Sequence, residues 1–365
     1  MDNGVISSME NGNIQSIVLM VVTTFIVAAF LTPFVKDVAL YIGAVDRPNS
    51  RKVHHSLMPR LGGLAIFLAF LLGYMLFSKQ SIQMNSILIG SFILVLTGVI
   101  DDIKPIKPIT KFAGQVLAAL VIVFYGGIAL SKINALGISI NFGILTYPIT
   151  LLFIIAIVNS INIIDGLDGL AAGVSSIFFL TIGIIAFIMG KTDGLDVVLS
   201  FIMLGSTLGF LLYNFHPAKI FLGDTGSMFL GFIIAIISLL GFKNVTLTSF
   251  IVPVMILGVP LLDTALAIVR RTIRKESIAK ADKKHLHHQL LNLKFSHRTT
   301  VLIIYFMNSL FATASIVYIL KDARLGKIIY LIIFVIWIII VTTTDIISNK
   351  FRIKIRQLIK PNNQK

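Results

Sequence analysis

Apolar runs of near-membrane length recur along almost the whole chain, at 14–35, 61–78, 83–100, 110–130, 144–163, 169–190, 196–215, 226–242, 247–269, 300–320 and 327–347. A spanning helix needs about 20 apolar residues. In lipid every backbone polar group must be satisfied within its own segment or a closed barrel, so such runs fold as helices. Composition supports this: 56% of the 365 residues are hydrophobic and 13% are charged. A soluble domain carries about 25% charged residues. The mean hydropathy is +0.95. No small-x-small cleavage pattern follows the first run, so it is expected to stay as a helix. The expectation is an all-α integral membrane protein. It is a single polytopic domain over 1–365, a multi-span bundle of about 11 transmembrane helices.

Charge sets the expected orientation. With the N-terminus outside, 24 of the 31 Lys and Arg fall on the inner side, mostly before residue 112, in the 270–300 loop and in the 348–365 tail. The positive-inside rule then predicts N-out and C-in. The formal charge of +15 is read as contact with anionic membrane lipids and not as nucleic-acid binding. There is no Cys, which excludes disulfides, thiolate catalysis and Cys-ligated metals.

The acids follow a different logic. Eleven of the sixteen lie on the same inner side, several at span ends beside Gly and Asn. Carboxylates at a membrane boundary are costly unless they pair, bind a cation or line a wet cavity. One polar site facing the cytoplasm explains the gathering.

Four blocks carry the chemistry. Asp101 and Asp102 in "GVIDDIKPIKP" are adjacent like charges, with Lys104, Lys107 and Lys111 nearby as basic partners; a plain charged helix stop is the alternative. In "NSINIIDGLDGLAAG", Asn159, Asn162, Asp165 and Asp168 recur every three residues. Each step turns about 300° on a helix, so neighbours share a face but the set does not. Gly166 and Gly169 predict that the span ends and turns here, more than capping alone requires. In "FLGDTGSMFLG", small residues flank Asp224 and would let backbone amides approach a phosphate at a helix start. Asp224 suits Mg²⁺, which takes one or two carboxylates plus phosphate oxygens. In "KKHLHHQLL", His285, His287 and His288 lack the spacing of a helical zinc motif and suit an anionic pyrophosphate. Two weaker features are the basic segment 46–63, with Lys52, and Asp263, two turns before Arg270, where a structural ion pair is at least as good an account as catalysis.

Taken in order, these blocks from Asp46 to His288 resemble the polyprenyl-phosphate N-acetylhexosamine-1-phosphate transferase family. The resemblance implies transfer of a sugar 1-phosphate from a UDP-sugar donor to a polyprenyl phosphate acceptor at the cytoplasmic face of a bacterial plasma membrane, with UMP released. It implies Mg²⁺ as cofactor, with Mn²⁺ as a substitute, and a homodimer as a further partner state. The "HLHHQLL" and "MPRLGG" forms resemble the GlcNAc-1-phosphate branch that starts surface glycans such as wall teichoic acid. The pentapeptide branch of peptidoglycan synthesis is the nearest alternative.

Carried over by position, the resemblance makes Asp224 the metal ligand, with Asn162 as a second. Asp101, Asp102 and Asp165 become the catalytic carboxylates, the first two at the lipid phosphate. Phe221 would stack on the base and Asp168 would contact the base or its surroundings. His285, His287 and His288 would face the sugar-pyrophosphate, with Asn159, Lys52 and Lys111 completing the substrate contacts. A cation-coupled transporter would place its acids nearer the midplane, and a scaffold would not need the Asn159–Asp168 block.

Overall fold

The computed structural model describes residues 3–46, 57–135, 138–190, 194–243, 251–273, 275, 285–320 and 323–343. The chain is an all-α integral membrane protein. Among the described residues, each expected apolar run overlaps a helix or, in one case, a helix pair. Eight helices among the described residues are long and apolar enough to cross a membrane, and a sixteen-residue helix is a shorter apolar one.

The first helix, α1 (Asn3–Ile42), lies along α7 (Leu195–Asn214). Gly205 and Gly209 of α7 meet α1 backbone at Val21 and Phe25, where a side chain would collide. Small residues are what let helices approach so closely in lipid. Thr24 and Thr32 return their hydroxyls to carbonyls one turn back, at 2.8 and 2.6 Å, so neither exposes an unpaired donor.

The helix α8 (Gly223–Lys243) is the centre of the bundle. It packs on α2 (Gly62–Phe77), α3 (Ile82–Ile103), α5 (Thr146–Ile164), α6 (Leu170–Ile188) and α7. Phe229 of α8 meets Phe67 and Phe70 of α2 edge-on, at 5.4 and 5.3 Å between ring centres. Such pairs add about 0.5–1.5 kcal/mol beyond their buried area. At its start α8 touches α2 backbone to backbone, Gly63 against Gly226.

Ser81 caps α3, accepting from the Met84 amide at 3.1 Å. The following α4 (Pro108–Leu120) opens with Pro at its first position, where no amide donor is needed, and runs into a wider turn at Val121–Tyr125. The expected run to 130 therefore stops short. The chain then forms a hairpin of β1 (Lys132–Ala135) and β2 (Ile138–Asn141), in the gap between the expected runs 110–130 and 144–163.

The expected 247–269 span is broken into α9 (Ile251–Ile256) and α10 (Gly258–Ile273). Pro260 has no amide hydrogen for the Ile256 carbonyl, which removes one bond of the ladder at that point. The last helices are α11 (Leu286–Asn292), α12 (His297–Leu320) and α13 (Ala323–Thr343). The C-terminal ends of α3 and α5 and the starts of α4 and α8 converge at one end of the bundle. The site lies there.

Candidate active site

Asp102 builds the platform. Its oxygens accept from the amides of Asp224 and Thr225 at 2.9 and 3.0 Å, and from the Thr225 hydroxyl at 2.7 Å. A residue of α3 thus caps α8, satisfying donors that a helix start leaves open. Arg60 Nη2 stands 3.5 Å from the same carboxylate. Gly223, with φ of +73°, makes the approach feasible, since a Cβ there would strike both Asp102 and the Arg60 carbonyl. The amides of Asp224 and Thr225 at the start of α8, where a phosphate was expected, are therefore engaged by Asp102.

Asp101, one residue earlier, turns elsewhere. Its Oδ1 accepts from the Ile106 amide at 2.9 Å, and its Oδ2 lies 2.8 Å from Lys111 Nζ. Lys111 also pairs with Asp224 Oδ2, so one ammonium joins the carboxylates of α3 and α8. Asn162 donates to Asp224 Oδ1 at 2.9 Å and to Ser227 Oγ at 2.7 Å. One turn before it, Asn159 exchanges two amide bonds with Gln115, at 2.8 and 3.3 Å.

The α5 helix ends at Ile164 and the chain turns, as the glycines predicted. Asp165 follows, partly buried; desolvation first, then the Asp224 charge, push its carboxyl well above the ordinary range, against the pull of Arg60. The Arg60 guanidinium pays a desolvation penalty too, but Asp102, Asp224, Asp46 and Asp165 together raise it. Asp168 Oδ2 receives His216 Nδ1 at 2.7 Å and the Ala218 amide at 3.1 Å. Its own amide donates to His297 Nε2 at 2.9 Å. The His216 and His297 rings stack with centres 4.2 Å apart. Gly169, with φ of +79°, carries the chain onwards, its amide held by Asn214 Oδ1 at 3.1 Å.

These elements enclose a cavity of about 570 Å³, lined among others by Arg60, Asp165, Asp168, Phe221, His216 and His288. Phe221 is fixed by two backbone bonds, donating to Pro59 and accepting from Gly62, at 2.8 and 3.0 Å. The "MPRLGG" and "FLGD" blocks thus form one paired unit. His287 lies directly over Gly166, where a Cβ would collide with its ring. Burial, then the neighbouring His288 and His285, hold the His287 imidazole well below its ordinary pKa.

The structure brings together Asp101, Asp102, Asp165, Asp224, Asn162 and Lys111, with Asn159 and Asp168 at the margins. His285 sits deeper, against Asp263. Lys52 lies outside the described residues. Reading the sequence missed His216 and His297 as partners of Asp168, Gln115 as the partner of Asn159, and Asp102 as a cap. Each needs contacts between residues 44 to 129 positions apart, which no local spacing signals.

Among the described residues, one set has the charge for a metal and another the spacing. Asp101, Asp102, Asp165 and Asp224 face Lys111 and Arg60, an oxygen-only set with two more negative than positive charges when all are ionised. That chemistry fits a hard divalent ion such as Mg²⁺. Asp168, His216 and His297 hold their ligand atoms within 4.8 Å of one another, but the His297 Nε2 lone pair is used by the Asp168 amide.

The profile of glycosyl transferase family 4 matches residues 84–242. A Bacillus subtilis protein named as a probable undecaprenyl-phosphate N-acetylglucosaminyl 1-phosphate transferase is 43% identical, covering 92% of this chain and 94% of its own length. The decaprenyl-phosphate N-acetylglucosaminephosphotransferase of Mycobacterium tuberculosis H37Rv is 37% identical, over 80% of each chain. The undecaprenyl-phosphate alpha-N-acetylglucosaminyl 1-phosphate transferase of Escherichia coli K12 is 27% identical, over 82% of this chain and 84% of the relative.

Proposed function

Since the chain belongs to glycosyl transferase family 4, we propose that it transfers N-acetylglucosamine 1-phosphate from UDP-GlcNAc to undecaprenyl phosphate. UMP is released, and the product opens a cell-surface glycan such as wall teichoic acid. The reaction is placed at the cytoplasmic face, the side that holds the basic loops. The observation that carries the reading is the Asp101–Lys111–Asp224 bridge beside a cavity of about 570 Å³.

Phosphoryl transfer asks mainly for positioning and charge neutralisation. The donor lies in the cavity, its uracil on the side of Phe221 and Asp168 and its pyrophosphate towards Arg60 and His288. An oxygen of the lipid phosphate attacks the β-phosphorus in line; the bond from that phosphorus to the UMP oxygen breaks, and UMP leaves with the electron pair. The lipid phosphate has a second pKa of about 6, so it is largely ionised already. Asp101 therefore orients the nucleophile and takes a proton only from the monoanionic fraction. Lys111 neutralises the reacting phosphates, while Asp102 keeps Asp224 in place. Mg²⁺, which Asp224 with Asn162, or with Asp165, would hold, supplies charge neutralisation for the pyrophosphate when bound.

The test is purified protein offered UDP-GlcNAc and undecaprenyl phosphate across a Mg²⁺ titration, with UMP release as readout. Mg²⁺-dependent UMP release is expected with UDP-GlcNAc and none with the UDP-MurNAc-pentapeptide donor. Comparable kcat/KM on the pentapeptide donor would move the chain to the sister branch.

A further inference from the structure

The sequence suggested Asp263 as an ion-pair partner of Arg270. Its carboxylate makes two bonds to the start of α11. Oδ2 lies 2.9 Å from His285 Nδ1, and Oδ1 accepts from the Leu286 amide at 3.0 Å. Both side chains are almost wholly buried, at 3% and 7% exposed. The helix α11 begins at this point, and its cap residue, His285, makes no side-chain capping bond of its own. Asp263 therefore supplies from α10 the acceptor that the first turn of α11 needs. It also orients His285: with Nδ1–H donating to Oδ2, the lone pair of a neutral ring is on Nε2.

From that anchor the three histidines follow within one turn. The His285 and His287 rings are nearly parallel, 4° apart with centres at 5.9 Å, and His287 meets His288 at 4.3 Å. His287 rests over Gly166, and His288 lines the cavity. Any slip at His285 moves His288 relative to Asp165 and Arg60.

We propose that Asp263 is a positioning residue, which acts on the donor through His285 by holding the histidine helix and His288 against the cavity. This rests on the donor assignment above. An amide at 263 keeps one acceptor but turns its NH₂ towards a donor, so one of the two bonds is lost.

The test uses the full-length protein in detergent with Asp263→Asn, His288→Gln and the double variant. UDP-GlcNAc binding at equilibrium, steady-state kinetics and thermal unfolding are measured for each. Asp263→Asn is expected to weaken UDP-GlcNAc binding roughly 10-fold or more, as outer-shell partners do, with KM for undecaprenyl phosphate within about two-fold of the parent. The double variant is expected to be no more than about two-fold worse than the poorer single one, since residues acting through one another are non-additive. The absence of native Cys gives a second readout. A spin label on Asn292→Cys, exposed at the end of α11, is expected to gain mobility in the Asp263→Asn background. If that variant does not fold, Asp263→Glu, which shifts both oxygens by a methylene, carries the same measurements. Multiplying single effects, an equal loss on both substrates, or an unchanged spin label would overturn the proposal. A parent protein that binds and turns over no UDP-GlcNAc would instead overturn the donor assignment, and the spin-label arm would still report on the anchor.

Discussion

Asp101 and Asp102 are chemically alike and differ only in their neighbours. Asp102 is consumed by the α8 cap, whereas Asp101 faces Lys111 and the region beside Asp224. Asp224→Asn is therefore expected to cut kcat at least about 100-fold, as loss of a preorganised charge does, with the thermal unfolding temperature close to the parent. Folded protein with near-parental turnover across a Mg²⁺ titration would refute the assignment. Asp102→Asn is expected to do the reverse, lowering stability by about 1–3 kcal/mol because an NH₂ group then faces amide donors; the midpoint of unfolding in detergent reports it. His287 gives the pH dependence. Its folded pKa lies well below the ordinary value of about 6.5. The unfolded chain thus takes up a proton there that the folded chain refuses, so this contribution is intact above about pH 6.5 and is lost as pH falls. The parent is expected to lose more melting temperature between pH 7.5 and 5.5 than His287→Asn does.

At the level of elements, close backbone approach decides the architecture. Gly63 of α2 rests on Gly226 of α8, and Gly98 of α3 rests on Thr225. Gly63→Ala is expected to lower both yield and melting temperature, because its new methyl meets backbone and not a movable side chain. Unchanged melting in that variant would show that the two helices can part without cost. The apolar pattern found the helices but not their interruptions. The break before α10 was written in the Gly258–Pro260 segment, yet the hydropathy of the surrounding run masked it. The hairpin after α4 lies in the gap between two expected runs, where hydropathy separates the helices but does not name the strands. The acidic and histidine blocks of the candidate site were legible because charge in an apolar run is conspicuous. The His216–His297 stack and the Asp263 anchor were not, because a single His or Asp gains meaning only from a partner on a distant helix.

For the whole molecule, the distribution of Lys and Arg predicts that the α11–α12 connection and the site face the cytoplasm. In intact cells, an impermeant thiol reagent added outside is expected to label Lys79→Cys and to spare Lys294→Cys; the opposite pattern would invert the topology. The adjacency of Asp101 and Asp102 has a further, mechanical meaning. Neighbouring residues on a helix point about 100° apart, so one carboxylate grips α8 while the next reaches Lys111. The α3 helix can neither rotate nor slide by one residue without releasing both holds. The pair works as a gauge block, setting the spacing between two helices by a single peptide unit. A force applied at the start of α8 reaches Asp101 through one rigid link, with no slack to absorb it.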